Sequence, residues 1–146
     1  MSRRSVVRFC APILTGLAFA ACGQRQPAGP APGSGDAAFT KLAGDVLEET
    51  YRRGPTQATY LGVHRYDDKL EDYSRLGVMD QLSSLRTLQG QVQGVDPATL
   101  SPDKQLDREL VLHAIESRIV TLDLVKPWAK DPDTYSSGIT NTAYIM

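Results

Sequence analysis

The chain has 146 residues, with 16 Lys plus Arg against 17 Asp plus Glu and a formal net charge of -1. That length holds one domain at most, and the near balance of charge gives no basic surface for a polyanion, so nucleic acid is not an expected partner. The only cysteines are Cys10 and Cys22, which leaves everything after residue 22 without a disulfide, a zinc-thiolate site or a cysteine nucleophile.

Arg3, Arg4 and Arg8 precede an apolar run over residues 9–21 that is too short to remain as a bilayer span, so residues 1–21 read as a signal peptide. Without those three arginines the balance is 13 basic to 17 acidic residues, formally -4, which suits a soluble exported product. Phe19-Ala20-Ala21-Cys22 resembles the bacterial lipobox, with Cys22 as the lipidated new N-terminus and Phe19 where that pattern usually has Leu. Ala18-Phe19-Ala20 also reads as an ordinary small-x-small cleavage site. Ser2 to Val7 resembles a twin-arginine export signal, although a routine positive segment is the simpler reading. Residues 24–35 are rich in Pro, Ala and Gly and lack bulky apolar side chains, so with Cys22 they predict an unfolded tether that holds a domain off a membrane. The expected location is the bacterial cell envelope, facing the periplasm, with the lipid anchor as the membrane contact.

From Asp36, read as an N-cap, Phe39, Leu42, Ala43, Val46, Leu47 and Thr50 recur at helical spacing as far as Gly54-Pro55. Residues 55–61 predict a short second helix, with Pro55 at its start and Gly62 supplying a left-handed turn at its end. Residues 64–73 are polar and aperiodic, which predicts a loop. Residues 74–92 carry Leu76, Met79, Leu82, Leu85, Leu88 and Val92 on a helical repeat that ends near Gly94.

Residues 101–125 predict one long central helix, with Ser101 as its cap, Pro102 at the first helical position and Asp103 at the positive end of the dipole. Leu106, Leu110, His113, Ser117, Val120 and Leu124 trace one face, and Leu112, Ile115, Ile119 and Leu122 widen it into an arc that needs neighbours on more than one side. Pro127 and Pro132 then break the helix, and Ile139, Ala143, Tyr144, Ile145 and Met146 read as the opening turns of a further apolar helix. No strand alternation competes. The expected fold class is all-α: a helical N-terminal subdomain built around one long central helix, with residues 36–146 as the incomplete first part of a larger domain.

Candidate chemistry is sparse. His113 with Glu109 and Glu116 has helical ligand spacing, but one His without a second is read as a partly buried side chain with charged neighbours. Asp67, Asp68, Glu71 and Asp72 beside His64, Arg65 and Lys69 lack the alternation and turn glycine of a calcium loop and read as a solvated, internally paired segment. The six tyrosines and Trp128 are read as anchors of loops to a core, with a groove for peptide or glycan as the sharper alternative. No HExxH, GxSxG, P-loop or dinucleotide fingerprint occurs, so no catalytic residue and no metal ligand is assigned.

Pro55 with Ala58-Thr59-Tyr60-Leu61-Gly62-Val63-His64, Tyr66-Asp67-Asp68-Lys69-Leu70, Gln105-Leu106-Asp107, and Trp128 with Asp131-Pro132-Asp133-Thr134-Tyr135 follow one another in an order and spacing that carries a resemblance. The chain resembles the start of the bacterial family catalogued as domain of unknown function 885, over about everything after the tether. The resemblance implies a large, mostly helical, exported lipoprotein similar to zinc metallopeptidases, acting on a peptide substrate. Its His-Glu metal motif lies far downstream, so zinc is expected for the whole family protein and none in this chain. His64, Tyr66, Asp67 and Trp128 match family positions; the expected roles are structural first, with a place in a substrate channel as the functional alternative. The other reading of the chain is a non-enzymatic envelope lipoprotein that binds a partner or acts as scaffold. Replacing the lipid acceptor, Cys22→Ser, is expected to abolish palmitate labelling and release the protein from the membrane fraction; unchanged labelling rejects the lipobox.

Overall fold

Apolar residues at three- and four-residue spacing build a helical protein, and the computed structural model, which describes residues 30–145, shows helix and no strand among them. The α-helices are α1 (Asp36–Arg53), α2 (Pro55–Tyr60), α3 (Arg75–Gln93), α4 (Pro102–Val120), α5 (Pro127–Lys130) and α6 (Asp133–Ile145). Turns of 3-10 helix at His64–Tyr66 and Pro97–Thr99 and a π-helical turn at Thr121–Val125 join them. The fold is all-α. The expected signal peptide, residues 1–21, and the expected lipid acceptor Cys22 lie outside the described residues.

The core is built where α1, α3 and α4 meet: Phe39 and Val46 from α1, Val78, Leu82, Leu85 and Val92 from α3, Ile115 from α4, with Leu100 and Leu122 closing the two ends. Phe39, Val78, Val92, Leu100 and Ile115 are essentially out of solvent, and each such side chain contributes about 1.5–3 kcal/mol by leaving water. Partly buried Leu42, Leu88, Val111, Leu112, Ile119 and Trp128 pack around them.

The helix ends explain the connections, and three of them differ from the sequence reading. Gly35, not Asp36, is the N-cap of α1, and Asp36 is its first residue. The Asp36 carboxylate instead accepts from the backbone N–H of Ser101 at 2.9 Å, while the Gly35 N–H donates to the Thr99 carbonyl at 2.9 Å. The end of the predicted tether is therefore structured: residues 32–35 form a turn that belongs to the bundle. Ser101 does sit at the N-cap of α4, yet its side chain makes no capping bond. Ser74 caps α3 as its residue type suggests, accepting from the Gly77 N–H at 3.0 Å, and Gly62 takes the left-handed conformation at φ 82°. At the other end of α3, Arg108 of α4 donates to the carbonyls of Val92 and Gln93 at 3.1 and 3.0 Å, satisfying acceptors that a helix C-terminus leaves open.

The predicted central helix runs as α-helix only to Val120. Lys126 N–H reaches back to Thr121 O at 2.9 Å, closing a ring one residue wider than an α turn, and Lys126 itself is left-handed at φ 53°. In a regular α-helix that N–H would bond Leu122 O, and Pro127 has none to offer. The Leu122 carbonyl is taken by the Trp128 indole N–H at 2.8 Å.

The face of α4 traced by Leu106, Leu110, His113, Ser117, Val120 and Leu124 is not the buried one. Leu106 and Leu110 are 60% exposed, Val120 48% and Leu124 74%, whereas Ile115 and Leu122 on the opposite side are buried. The polar segment over 64–73 is also more ordered than a plain loop, with a 3-10 turn and several side-chain bonds to helices.

Glycines in α3 give a paired stability prediction. A Cβ on Gly77 meets the Asp72 backbone oxygen at 2.9 Å and Asp72 Cγ at 2.5 Å, whereas one on Gly90 meets nothing within 4 Å. Gly77→Ala is expected to destabilise by about 1–3 kcal/mol through overpacking. Gly90→Ala is expected to stabilise by about 0.5–1 kcal/mol through helix propensity. Urea denaturation followed by circular dichroism measures both, and equal signs for the two substitutions reject the packing at the start of α3.

Candidate functional site

Four helices leave a cleft of about 470 Å³ between α1, α2, α3 and α4. Its apolar floor comes from Val46, Leu85, Ile115 and Leu61, and Tyr51 and Tyr73 line it with Ala114. The charged lining residues are Glu49, Arg53, Glu71 and Arg118. Thr50, Thr56, Gln57 and Gln81 complete the polar part of the lining, and a concavity of this volume with apolar and polar groups side by side is in the range of a small-molecule site.

Most of that charge is already spoken for within the chain. Arg53, at the end of α1, donates to Glu49 at 2.8 Å one helical turn back, to the Gly77 carbonyl at 3.5 Å and to Asp80 on α3. Arg52 adds two bonds to Glu49 at 2.8 Å. Burial pushes the Glu49 carboxyl up, but hydrogen bonds from Arg53, Arg52 and Ser84 outweigh it and hold the group below its ordinary value. Burial alone would lower the Arg53 guanidinium, yet its bonds to Glu49 and Asp80 raise it. Glu71, from the segment before α3, accepts from both the backbone N–H (3.1 Å) and the hydroxyl of Thr56 and so tethers α2. Tyr73 stands with its ring edge-on to Tyr135 of α6, centroids 6.0 Å apart. Burial pushes the Tyr73 phenol up, Glu71 adds to that, and Arg118 acts in the opposite direction.

The residues singled out from the sequence lie elsewhere, and in two places. His64, Tyr66 and Asp67 sit together on the 3-10 turn after α2. His64 Nδ1 is 3.0 Å from Asp67 Oδ2, and the Thr59 hydroxyl donates to Asp67 Oδ1 at 2.5 Å. The Thr59 bond foremost, and the His64 bond after it, hold the Asp67 carboxyl below the usual carboxylate range. Tyr66 is buried and donates to Glu48 of α1, which also takes Arg65; Arg65 and Lys69 each lie 5.4 Å from the Tyr66 ring centroid. This cluster pins the turn to α1. Trp128 is on α5, just beyond the π-helical turn that follows α4, where its indole N–H donates to Leu122 O at 2.8 Å and its own carbonyl accepts from the Tyr135 hydroxyl at 2.7 Å. None of the four lines the cleft.

Sequence reasoning missed the cleft residues. The Glu49 and Arg53 pair has legible i, i+4 spacing, but Arg53 to Asp80 spans 27 positions and Thr56 to Glu71 spans 15, which no local pattern announces. On α4, His113, Glu109 and Glu116 are all exposed, and Glu116 accepts from Gln89 at 3.3 Å.

Comparison of the chain with protein-family models, with curated proteins and with solved structures returns no match. Zinc, which the family resemblance implies for the whole protein, does not fit the donors present. His64 is engaged with Asp67, His113 stands on the outer side of α4, and no three His, Cys, Asp or Glu side chains among the described residues converge as a ligand group.

Glu49 gives a pH prediction. Its folded carboxyl lies below the ordinary value of 4.5, so the stabilisation is present above that value and is lost as pH falls through the depressed folded value. The urea midpoint is expected to drop across that acid window, and to drop less steeply in Glu49→Gln; identical pH profiles for the two proteins contradict the assignment.

Proposed function

We propose that this chain is the helical N-terminal part of an exported, lipid-anchored, zinc-peptidase-like protein, with the catalytic metal motif carried by sequence outside it. The observation that supports the reading is the second apolar stripe on α4. Leu106, Leu110 and Val120 of α4, and Leu124 of the turn that follows, stand exposed on the side opposite the core, on a face they share with His113 and Ser117, where a further packed element would cover them. The ordered run of motifs that resembles the family supports it as well. In this reading the chain shapes and scaffolds and carries no catalytic residue. His64, Tyr66 and Asp67 fix the turn after α2, and Trp128 fixes the end of α4.

A second reading, a non-enzymatic envelope lipoprotein that binds a partner or ligand, is favoured by the cleft, which is formed wholly by this chain. The two readings part on one measurement. Antiserum to this chain, applied to an envelope fraction of source cells, is expected to identify a species far larger than 15.9 kDa whose tryptic peptides include a His-Glu metal motif. A reacting species near 15.9 kDa with no downstream peptides leaves the binding module and removes the peptidase-like reading.

A further inference from the structure

Arg118 is the cleft's one charged side chain without a charged or hydrogen-bonded partner among the described residues. Glu49 is held by Arg52 and Arg53, Arg53 by Glu49 and Asp80, and Glu71 by Thr56. Arg118 forms no ion pair and no side-chain hydrogen bond among the described residues, yet it lines the cleft beside Ala114 and Ile115 on the cleft side of α4. Tyr73, also in the lining, carries a phenol that burial keeps protonated well into the alkaline range, so it is a neutral O–H donor at any ordinary pH. Val46, Leu61, Leu85 and Ile115 supply the hydrocarbon of the lining, and Thr50, Thr56, Gln57 and Gln81 are its neutral polar members. Arg118 is solvent-exposed, and an uncommitted guanidinium at the rim of a partly apolar concavity favours a ligand with one planar anionic group and an apolar body.

We propose that the cleft between α1, α2, α3 and α4 binds a small amphiphilic monocarboxylate, with its carboxylate on the Arg118 guanidinium and its apolar body over Val46, Leu85 and Ile115. A phosphate monoester of the same size carries more charge than one guanidinium balances beside Glu71, so a carboxylate is the better match. No covalent step is involved. The binding is independent of whether the chain belongs to a peptidase, because every contributing residue is in the described part of this chain.

The test uses the full chain carrying Cys22→Ser, which removes the lipid acceptor and so keeps a hydrophobic acid from partitioning into bound lipid. 2-Naphthoate is titrated by isothermal calorimetry against its neutral isostere 2-naphthamide. Saturable one-to-one binding of the acid is expected, with the amide weaker by about tenfold or more, because it forgoes a charge-assisted contact. Arg118→Gln is expected to bring the acid down to the affinity of the amide, and Arg118→Lys to restore part of it. Arg118 makes no ion pair and no side-chain hydrogen bond among the described residues, so an unchanged thermal melt of each Arg118 variant serves as the folding control. Ala114→Phe, which fills the cleft beside an intact Arg118, is expected to abolish binding of both compounds. Equal affinity for acid and amide, an unchanged affinity in Arg118→Gln, undiminished binding in Ala114→Phe, or no saturable binding at all overturns the proposal.

Discussion

The start of α1 is latched to the start of α4, and the arrangement of the bundle follows from that latch. Asp36 and Ser101 are 65 positions apart, yet the carboxylate of one holds the N–H of the other, while Gly35 donates to Thr99 in the same place. Hydrogen bonds from the Ser101 backbone and hydroxyl keep the Asp36 carboxyl ionised below the usual range. Gly35 is needed there because a side chain would run into Thr99 Cβ at 3.1 Å. With this end fixed, Phe39 and Leu100 enter the same core cluster, and α1 lies along α3 and α4 with Val46 inward. Its far end is fixed in turn by Arg53, which reaches both Gly77 O and Asp80 on α3. A helix held at both ends by long-range polar contacts leaves the cleft as a defined space beside it.

Helix content was legible because every long apolar repeat in the chain has helical period, and Gly, Pro and Ser mark its interruptions. What the sequence could not decide was which stripe of α4 faces inward. Leu106, Leu110, Val120 and Leu124 form one stripe and Leu112, Ile115, Ile119 and Leu122 another, and a helix apolar on two sides carries no local sign of where its neighbours are. The same holds for Leu76, a regular member of the α3 repeat that stands 83% exposed while its neighbours Gly77 and Val78 are buried. Asp36 was misread for a related reason. An Asp before an apolar repeat has the residue type of its own helix's cap, and the acceptor it supplies to Ser101 is visible only once the chain is folded.

The candidate site was legible in fragments. His64, Tyr66 and Asp67 draw attention because they carry chemistry-bearing side chains close in sequence, and they do assemble, around Thr59 and Glu48, as a brace between a turn and a helix. The cleft drew none, since its residues come one or two at a time from four helices. The ion pair Glu49–Arg53 lies along its edge and is largely shielded, so it helps to fix helix positions, whereas Arg53–Asp80 is open to water at its Asp80 end and Lys41–Asp45, with 78% and 54% of its side chains exposed, is a solvated pair of little energetic weight.

The wide turn at the end of α4 has an optical consequence. The chain contains a single tryptophan, and its indole N–H is tied to the Leu122 carbonyl that the π-helical ring leaves open. The ring system is part-buried against the core cluster that includes Leu122. The emission of this one fluorophore is thus a report on whether the last turn of α4 is wound and seated, with no label required and no second indole to blur the signal.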